Sequence, residues 1–236
     1  TDCEADMAKL YVWNIAPSLP EARGRVLLEG LPAQRCRRAL SCRQAEDSAR
    51  CAGAGWLLRH ALDQEGIPPS AQVFTQNSWG KPAFLHASAP QFSLSHSGTW
   101  VLCAVGGSPL GVDIELPRCT IQLARRFFHP QETASVEALP PSMQLEALCR
   151  LWVAKEAVIK AEGRGLSMPL SSFCVQLRAS EACLAPGSAL PPYRLHEYRL
   201  GAYRICLCTE ENRPALTFVA DIAPAAEAVP EPPHEK

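Results

Sequence analysis

The sequence lacks any apolar run near the roughly 20 residues that a membrane-spanning helix requires. Its first segment, TDCEADMAKLYVW, has no basic stretch followed by an apolar one, so it shows no secretory leader pattern. Net charge is nearly absent as well, because 23 Lys and Arg oppose 24 Asp and Glu. These absences predict a soluble, cytoplasmic protein with no membrane partner and no general attraction to nucleic acid.

CxxC pairs are also missing, although the chain has 11 cysteines. Disulfide scaffolds are typical of small secreted chains with even cysteine numbers, whereas this chain has 236 residues. Several cysteines lie in apolar runs such as VLCAV (101–105) and RICLCT (204–209). We therefore expect reduced cysteines that pack as small apolar side chains, and no metal cluster built from them.

The order of the predicted elements favours an α+β fold with two halves. A helix from about Gln34 to Glu65 precedes strands that include FSLS (92–95) and WVLCAV (100–105), joined by the turn HSGT. Beyond residue 110 a similar order returns, with a helix from about Leu145 to Ala161 followed by strands. We predict halves at 1–110 and 111–222 and a disordered tail at 223–236. Chance likeness between short amphipathic elements is the alternative explanation of the repeat.

The stretch GVDIEL (111–116) places two carboxylates on an apolar run. In a strand, alternate side chains share a face, so Asp113 and Glu115 lie together, about 7 Å apart at the backbone. Like charges on one face repel, and this predicts a compensating feature. A solvated edge, basic partners or a divalent cation that prefers oxygen ligands would each suffice.

A second acidic segment is WVAKEAVIKAEGRGL (152–166). On a helix Trp152, Glu156 and Lys160 recur at i, i+4 and i+8 and share one face. A solvated Glu to Lys pair is the simplest interpretation. The tryptophan on this face and the glycine turn at its end favour instead a partly buried site near a phosphate, with Asp113, Glu115 and Glu156 as a three-carboxylate site for Mg²⁺.

Two further segments could bind a nucleotide. NSWGKPAF (77–84) is either a tight turn with a solvated lysine or a loop that holds a nucleotide. FSLSHS (92–97) places Ser95 and His96 at a strand end, where they could bind phosphate or only stabilise a turn. A Ser-His hydrolase is disfavoured because no GxSxG elbow surrounds the serine.

The order and spacing of WGKP, FSLSHS, GVDIE and WVAKEAVIKAEGRGL resemble the 4′-phosphopantetheinyl transferase superfamily, in particular its longer Sfp-type members. The resemblance covers residues 79–166 and extends upstream through RCRRALSCRQAEDSAR, which is similar to the family's basic helical region. Mild departures are Ser93, where many members carry Asn, and Arg164, where many carry Lys.

The resemblance implies two similar α+β subdomains related by a pseudo-twofold, with coenzyme A in the cleft between them. It also implies a residue set for each task. The Mg²⁺ ligands would be Asp113, Glu115 and Glu156; coenzyme A would contact Arg35, Arg50, Gly80, Lys81, Pro82, Ser95, His96, Lys155 and Lys160; and the catalytic groups would be Glu156, Lys160 and His96.

The implied reaction transfers the 4′-phosphopantetheine arm of coenzyme A to a serine of an apo acyl or peptidyl carrier protein and releases 3′,5′-ADP. Carriers of fatty-acid, polyketide and nonribosomal peptide synthesis remain open, and one chain that completes the site predicts a monomer. A non-catalytic binding module that recognises coenzyme A or an acidic carrier through Arg35, Arg37, Arg38 and Arg43 is the alternative. A Mg²⁺-dependent nucleotide or pyrophosphate hydrolase is a third possibility.

Overall fold

Two long helices dominate the helical part of the fold. The structure is a computed structural model and describes residues 7–16, 28, 31–86, 89–179, 181–212 and 214–220. The long helices α2 (Ala45–Gln64) and α5 (Pro141–Glu162) each bury about half of their residues. Helix α5 ends at Gly163, whose φ of 70° is a left-handed conformation that glycine adopts at little cost. The shorter helices are α1 (Ala33–Leu40), α3 (Ile121–Phe127) and α4 (Pro130–Glu137).

The strands form two main sheets and one small hairpin. The first sheet has the order β11, β1, β5, β4, and the second has the order β6, β10, β9, β8, β7. Strand β1 is parallel to β11 and antiparallel to β5, while among the described residues β2 and β3 form a separate two-stranded sheet. The strands are β1 (Lys9–Asn14), β2 (Phe74–Gln76), β3 (Pro82–Phe84), β4 (Gln91–Ser97), β5 (Trp100–Gly106), β6 (Leu110–Glu115), β7 (Val175–Leu177), β8 (Ala182–Leu184), β9 (Arg194–Leu200), β10 (Tyr203–Thr209) and β11 (Ala215–Val219).

Each sheet is covered by one long helix. Trp56 and Leu57 of α2 share a buried apolar cluster with Val101 of the first sheet. Val158 of α5 shares another with Cys206 of the second sheet. A third cluster joins the two sheets and includes Leu10, Val12, Leu102, Ala104, Leu110, Val112, Ile114, Ile205 and Leu207. Burial of these apolar surfaces fixes the two sheets against each other.

Three serines of β4 connect the first sheet to β6 of the second. Ser93, Ser95 and Ser97 alternate along the strand and are all buried. The backbone N–H of Val112 donates to Ser93 Oγ at 3.1 Å, and that of Ile114 donates to Ser95 Oγ at 3.4 Å. Since β6 pairs through its backbone with β10, these hydroxyls set where β6 lies relative to β4.

Gly111 determines how closely helix α5 approaches β6. A Cβ at this position would lie 2.0 Å from the carbonyl oxygen of Ala157 and 2.4 Å from the nitrogen of Ala161. Only glycine therefore allows the two backbones to touch here. This contact places the last turn of α5, with Lys160, directly beside the carboxylates of β6.

The observed elements confirm most of the predicted ones and correct one helix. The α+β class, the 92–105 hairpin and the helix over 145–161 are confirmed, and that helix begins earlier, at Pro141. A continuous helix over 34–65 is wrong, because α1 ends at Leu40 and α2 begins at Ala45. No helix within the described ranges is both long and apolar enough to cross a membrane. The predicted tail at 223–236 lies outside the described residues.

Candidate active site

A cleft of about 500 Å³ lies where the hairpin turn, β4, β6 and the end of α5 meet. Eight of the residues that line it are site residues predicted from the sequence. These are Arg35, Gly80, Lys81, Pro82, Ser95, His96, Asp113 and Lys160. Segments far apart in the chain are thus brought to one cavity, and both basic and acidic groups face it.

The turn between β2 and β3 forms one wall of the cleft. Gly80 has a φ of 84°, a left-handed conformation that allows the tight turn before Lys81. The Lys81 ammonium donates to the carbonyl of Leu110 at 3.1 Å and to that of Ala161 at 3.5 Å. Burial lowers the pKa of Lys81 to about 8, so its charge is sensitive to mildly alkaline conditions.

Asp113 is the centre of a hydrogen-bond network at the base of the cleft. Its Oδ1 accepts from Lys160 Nζ at 2.7 Å and from Ser95 Oγ at 2.8 Å. Lys160 Nζ also donates to Ser95 Oγ at 3.1 Å and to the carbonyl of Val112 at 2.9 Å. Asp113 Oδ2 is buried and has no hydrogen-bond partner among the described residues. A buried carboxylate oxygen without a partner is costly, and it marks a position that a ligand could fill.

Glu115 and Glu156 lie close enough to this network for its charges to shift their pKa values. Glu115 accepts from Ser97 Oγ at 3.0 Å, and its pKa is raised by burial and by the nearby Asp113. The pKa of Glu156 is raised to about 7 by burial and by the charges of Asp113 and Glu115, with Lys160 acting in the opposite direction. The three carboxylates therefore repel one another across a partly buried space.

The same residues can be tested for their fit to a divalent cation. Across the described ranges, no three side chains among His, Cys, Asp and Glu form a ready-made metal cluster. Asp113 nevertheless leaves one buried oxygen free, and the neighbouring glutamates lack full charge compensation. Mg²⁺ commonly takes only one or two carboxylates from the protein and completes its octahedral shell with water and substrate phosphate. The donor chemistry fits such a partly protein-bound ion.

Comparison with known proteins identifies the family. The sequence profile of the 4′-phosphopantetheinyl transferase superfamily matches residues 109–208. A 4′-phosphopantetheinyl transferase of Bacillus subtilis is 38% identical over 147 residues, which are 61% of this chain and 64% of the relative. The 4′-phosphopantetheinyl transferase Sfp of Bacillus subtilis strain 168 is 32% identical over 180 residues, or 74% of this chain and 79% of the relative. The chain belongs to the 4′-phosphopantetheinyl transferase superfamily.

Membership confirms the resemblance that the four ordered motifs predict. The relatives extend beyond one group of bacteria, since the 4′-phosphopantetheinyl transferase HetI of a Nostoc species is 32% identical over 167 residues, covering 67% of this chain and 70% of that protein. The profile match begins just before GVDIE and ends on β10, so it includes Asp113, Glu115, Glu156 and Lys160. The upstream motifs around Lys81 and His96 lie outside it.

Of the basic residues that the family resemblance assigns to coenzyme A, only some lie at the cleft. Arg35 of α1 lines the wall together with Arg38, and His96 stands exposed beside them. Arg50 is not among the lining residues. Its guanidinium donates to the carbonyl of Gly98 at 3.1 Å and pairs with Asp47.

Lys155 requires a correction, because the structure places it away from the cleft. Its ammonium is fully buried, pairs with Glu132 at 2.7 Å and donates to the carbonyls of Leu170 and Phe173 at 2.7 and 2.8 Å. The ring of Phe173 lies 4.1 Å away. All three ammonium donors are thus used by Glu132 and these two carbonyls, and none is available to coenzyme A.

Three residues at or beside the cleft are absent from the set that the family resemblance assigns to the site. Arg38 and Trp79 line the cleft, and Ser97 binds Glu115. Their signals are present in the sequence: Arg38 belongs to the basic cluster of α1, Trp79 precedes GKP, and Ser97 continues the two-residue alternation of Ser93 and Ser95. This alternation predicts that one face of β4 carries serine hydroxyl groups.

Proposed function

We propose that this protein transfers the 4′-phosphopantetheine arm of coenzyme A to a serine of an apo acyl or peptidyl carrier protein and releases 3′,5′-ADP. The observation that carries the proposal is the Asp113, Lys160 and Ser95 network, with a free buried carboxylate oxygen, at the base of a cleft in a superfamily member. The relatives that span most of the chain are named 4′-phosphopantetheinyl transferases. These names disfavour the non-catalytic binding module.

Coenzyme A would occupy the cleft with its nucleotide against the hairpin turn. Gly80, Lys81 and Pro82 would shape the nucleotide wall, and Arg35 with Arg38 would neutralise phosphate charge from α1. Ser95, His96 and Lys160 would bind the pyrophosphate next to Asp113. Arg50 would contribute long-range positive charge from the Gly98 turn.

Asp113, Glu115 and Glu156 would hold Mg²⁺ at the base of the cleft. The support for this assignment is the free Asp113 oxygen and the mutual repulsion of the three carboxylates. When bound, the ion would supply Lewis-acid stabilisation of charge on phosphate oxygens. The protein itself would hold these carboxylates close together and leave Asp113 Oδ2 without a hydrogen-bond partner among the described residues, so that this oxygen can bind the ion.

The transfer step is a substitution at phosphorus. The carrier serine oxygen forms a bond to the β-phosphorus, and the bond from that phosphorus to the bridging oxygen breaks, so the electron pair leaves with 3′,5′-ADP. Glu156 accepts the serine proton on a carboxylate oxygen, a role that its place on α5 one turn before Lys160 allows. Lys160 and His96 donate to the oxygens on which charge develops.

The order of elements supports a pseudo-twofold arrangement as part of the proposal. In residues 1–110 a strand, a long helix and a hairpin follow one another as β1, α2, β4 and β5; in residues 111–222 the set is β6, α5, β9 and β10. Both sets contribute to one cleft, so a single chain can complete the site and act as a monomer. A cytoplasmic location is consistent with the free thiols of Cys103, Cys206 and Cys208.

The test is the intact mass of apo carrier proteins after incubation with the protein, coenzyme A and Mg²⁺. A mass gain of one phosphopantetheine arm that disappears with EDTA is expected, and Glu115→Ala should abolish it while circular dichroism stays unchanged. Carriers from fatty-acid, polyketide and peptide synthesis are assayed in parallel to identify the acceptor. Coenzyme A binding without any mass gain would support the binding module, and nucleotide breakdown without a carrier would support a hydrolase.

A further inference from the structure

Asn77 organises the turn that forms the nucleotide wall. Its Oδ1 accepts from the backbone N–H of Trp79 and of Lys81, both at 2.9 Å. The backbone closes the same turn, since Asn77 N–H donates to the carbonyl of Lys81 at 3.0 Å and Gly80 N–H donates to the carbonyl of Asn77 at 2.9 Å. One side chain therefore fixes the shape of the segment from Asn77 to Lys81.

The same amide ties this turn to the end of helix α5. Asn77 Nδ2 donates to the carbonyl of Gly163 at 2.7 Å, and we call this hydrogen bond the strap. Gly163 is the left-handed residue that ends α5, and its carbonyl has no place in the helical hydrogen-bond ladder. The strap therefore links a hairpin of the first half to the helix that carries Glu156 and Lys160.

Two other contacts place the turn on the same helix end. The Lys81 ammonium reaches the carbonyl of Ala161 at 3.5 Å, and the Arg164 guanidinium lies 5.7 Å from the ring of Trp79. The fit is close, because a Cβ on Gly163 would lie 2.9 Å from Asn77 Nδ2 and 3.1 Å from Lys81 Cδ. The turn and the helix end both line the cleft, so the contacts between them shape its wall.

We infer that Asn77 is a positioning residue for coenzyme A: its strap to Gly163 holds the nucleotide wall at a fixed distance from the helix that carries the carboxylate site. The inference rests on the proposed function for the identity of the ligand. Asn77 itself is absent from the cleft lining, so it acts through Trp79, Gly80 and Lys81.

The effect of the strap on coenzyme A affinity depends on the fraction of molecules whose turn is correctly placed. Without the strap, the turn samples positions in which the wall does not match the ligand, and apparent affinity falls by the fraction of molecules that remain competent. Loss of one hydrogen bond of ordinary net strength lowers the equilibrium constant between the competent and the displaced turn about fivefold. Asn77→Ala removes the strap and also the two contacts of Oδ1 with the turn. The loss should therefore appear in the Kd for coenzyme A and not in kcat, because the groups at the reacting phosphorus are unchanged.

The experiment compares Asn77→Ala with Ser78→Ala, an exposed neighbour in the same turn, using the full chain. Calorimetry measures the coenzyme A Kd, and the carrier-protein assay measures KM and kcat. We expect Asn77→Ala to raise the Kd and the KM for coenzyme A at least about fivefold, because the strap and the two Oδ1 contacts are lost together. The kcat and the KM for the carrier should change less than twofold, and Ser78→Ala should match the wild type.

A double-mutant cycle with Gly163→Ala checks the contact itself. A methyl group on Gly163 disturbs the strap from the other side, so the two changes together should raise the Kd by less than the product of their separate effects. An unchanged Kd in Asn77→Ala, or a kcat that falls with the melting temperature while KM stays constant, would overturn the inference. Multiplicative effects in the cycle would also overturn it.

The measurements on the wild type distinguish failure of the proposed transferase function from failure of the proposed role of Asn77. If the wild type binds coenzyme A but modifies no carrier, the proposed function is wrong and the Kd values still decide the role of Asn77. If the wild type binds no coenzyme A, both proposals are wrong.

Discussion

Helix α5 carries two lysines that each pair with a carboxylate at 2.7 Å, yet their surroundings differ. Lys155 and Glu132 are fully buried, and Glu132 also accepts from the backbone N–H groups of Val175 and His129. Lys160 keeps 28% of its side chain exposed, and its partner Asp113 retains an oxygen with no partner among the described residues. We call these the closed pair and the open pair.

The difference shows that the distance within an ion pair does not reveal its role. In the closed pair the ammonium donors of Lys155 are all taken by Glu132 and by the carbonyls of Leu170 and Phe173, so none is left for a ligand. In the open pair the network ends at a cleft with an uncompensated acceptor. What distinguishes the structural pair from the pair at the site is whether every polar group has a hydrogen-bond partner, and burial or charge alone does not distinguish them. Four predictions test this distinction.

The largest effect is expected from Lys155→Met. The change leaves the Glu132 carboxylate buried without its cation, which costs about 3–5 kcal/mol of unfolding free energy. Urea unfolding followed by circular dichroism measures it. Adding Glu132→Gln should recover part of the loss. A stability close to that of the wild type would show that the closed pair is not structural.

Asp113→Asn in the open pair should have the opposite profile. The amide keeps the shape but removes the charge shared by Lys160 and the proposed metal, and we expect the transfer rate to fall about 100-fold to 1000-fold. Single-turnover assays with saturating coenzyme A give the rate. Unfolding in urea should change by no more than about 1 kcal/mol, because a buried repulsion is relieved as the ion pair is lost. A loss of stability that matches Lys155→Met would remove the distinction between the pairs.

The cleft should also respond to pH through Lys81, which lines it. The pKa of Lys81 is about 8, below its ordinary 10.5, so the free protein loses this cation as pH rises past 8. We expect the coenzyme A Kd to rise severalfold between pH 7 and 9.5. Lys81→Met should bind weakly at both values and lose this step. Stability changes in the other direction: the unfolded chain holds the proton up to the higher pKa, so the Lys81 contribution to folding rises between pH 8 and 10.5.

The smallest effect is expected from Ser97→Ala. This change removes one neutral donor from Glu115, which is worth about 1 kcal/mol, so the transfer rate should fall about fivefold. Ser135→Ala is the matched control, because Ser135 lies on α4 near the closed pair and donates only to the carbonyl of Gln131. Steady-state rates at saturating substrates measure both. Equal rates for the two variants would argue against a role for the β4 hydroxyls at the site.

The position of the two lysines could have been predicted more fully from the sequence. A helix turns about 100° per residue, so Glu156 and Lys160 lie about 40° apart, whereas Lys155 lies about 140° from Lys160. The period therefore excludes Lys155 from the face that carries the carboxylate site. The resemblance to the family assigned both lysines to coenzyme A, and the helical period alone would have separated them.

Other features depend on contacts that a sequence does not display. The alternation in GVDIE correctly predicts that Asp113 and Glu115 share surroundings, and GKP correctly predicts the turn at Gly80. The break between α1 and α2 and the return of β11 to the first sheet have no comparable local signal. Both are set by long-range packing, which overrides helix propensity and strand order. The division at residue 110 and the roles of the site residues stay predictions.

The parallel pairing of β1 with β11 has a consequence for synthesis. Lys9 pairs with Ala215 and Trp13 with Val219, so β1 acquires its second neighbour only after nearly all of the described chain has been made. During translation its edge is left open, beside a core that contains Leu10 and Val12. Pairing between such distant segments is slow to form. The first sheet therefore cannot be completed on the ribosome until all the strands of the second sheet have emerged.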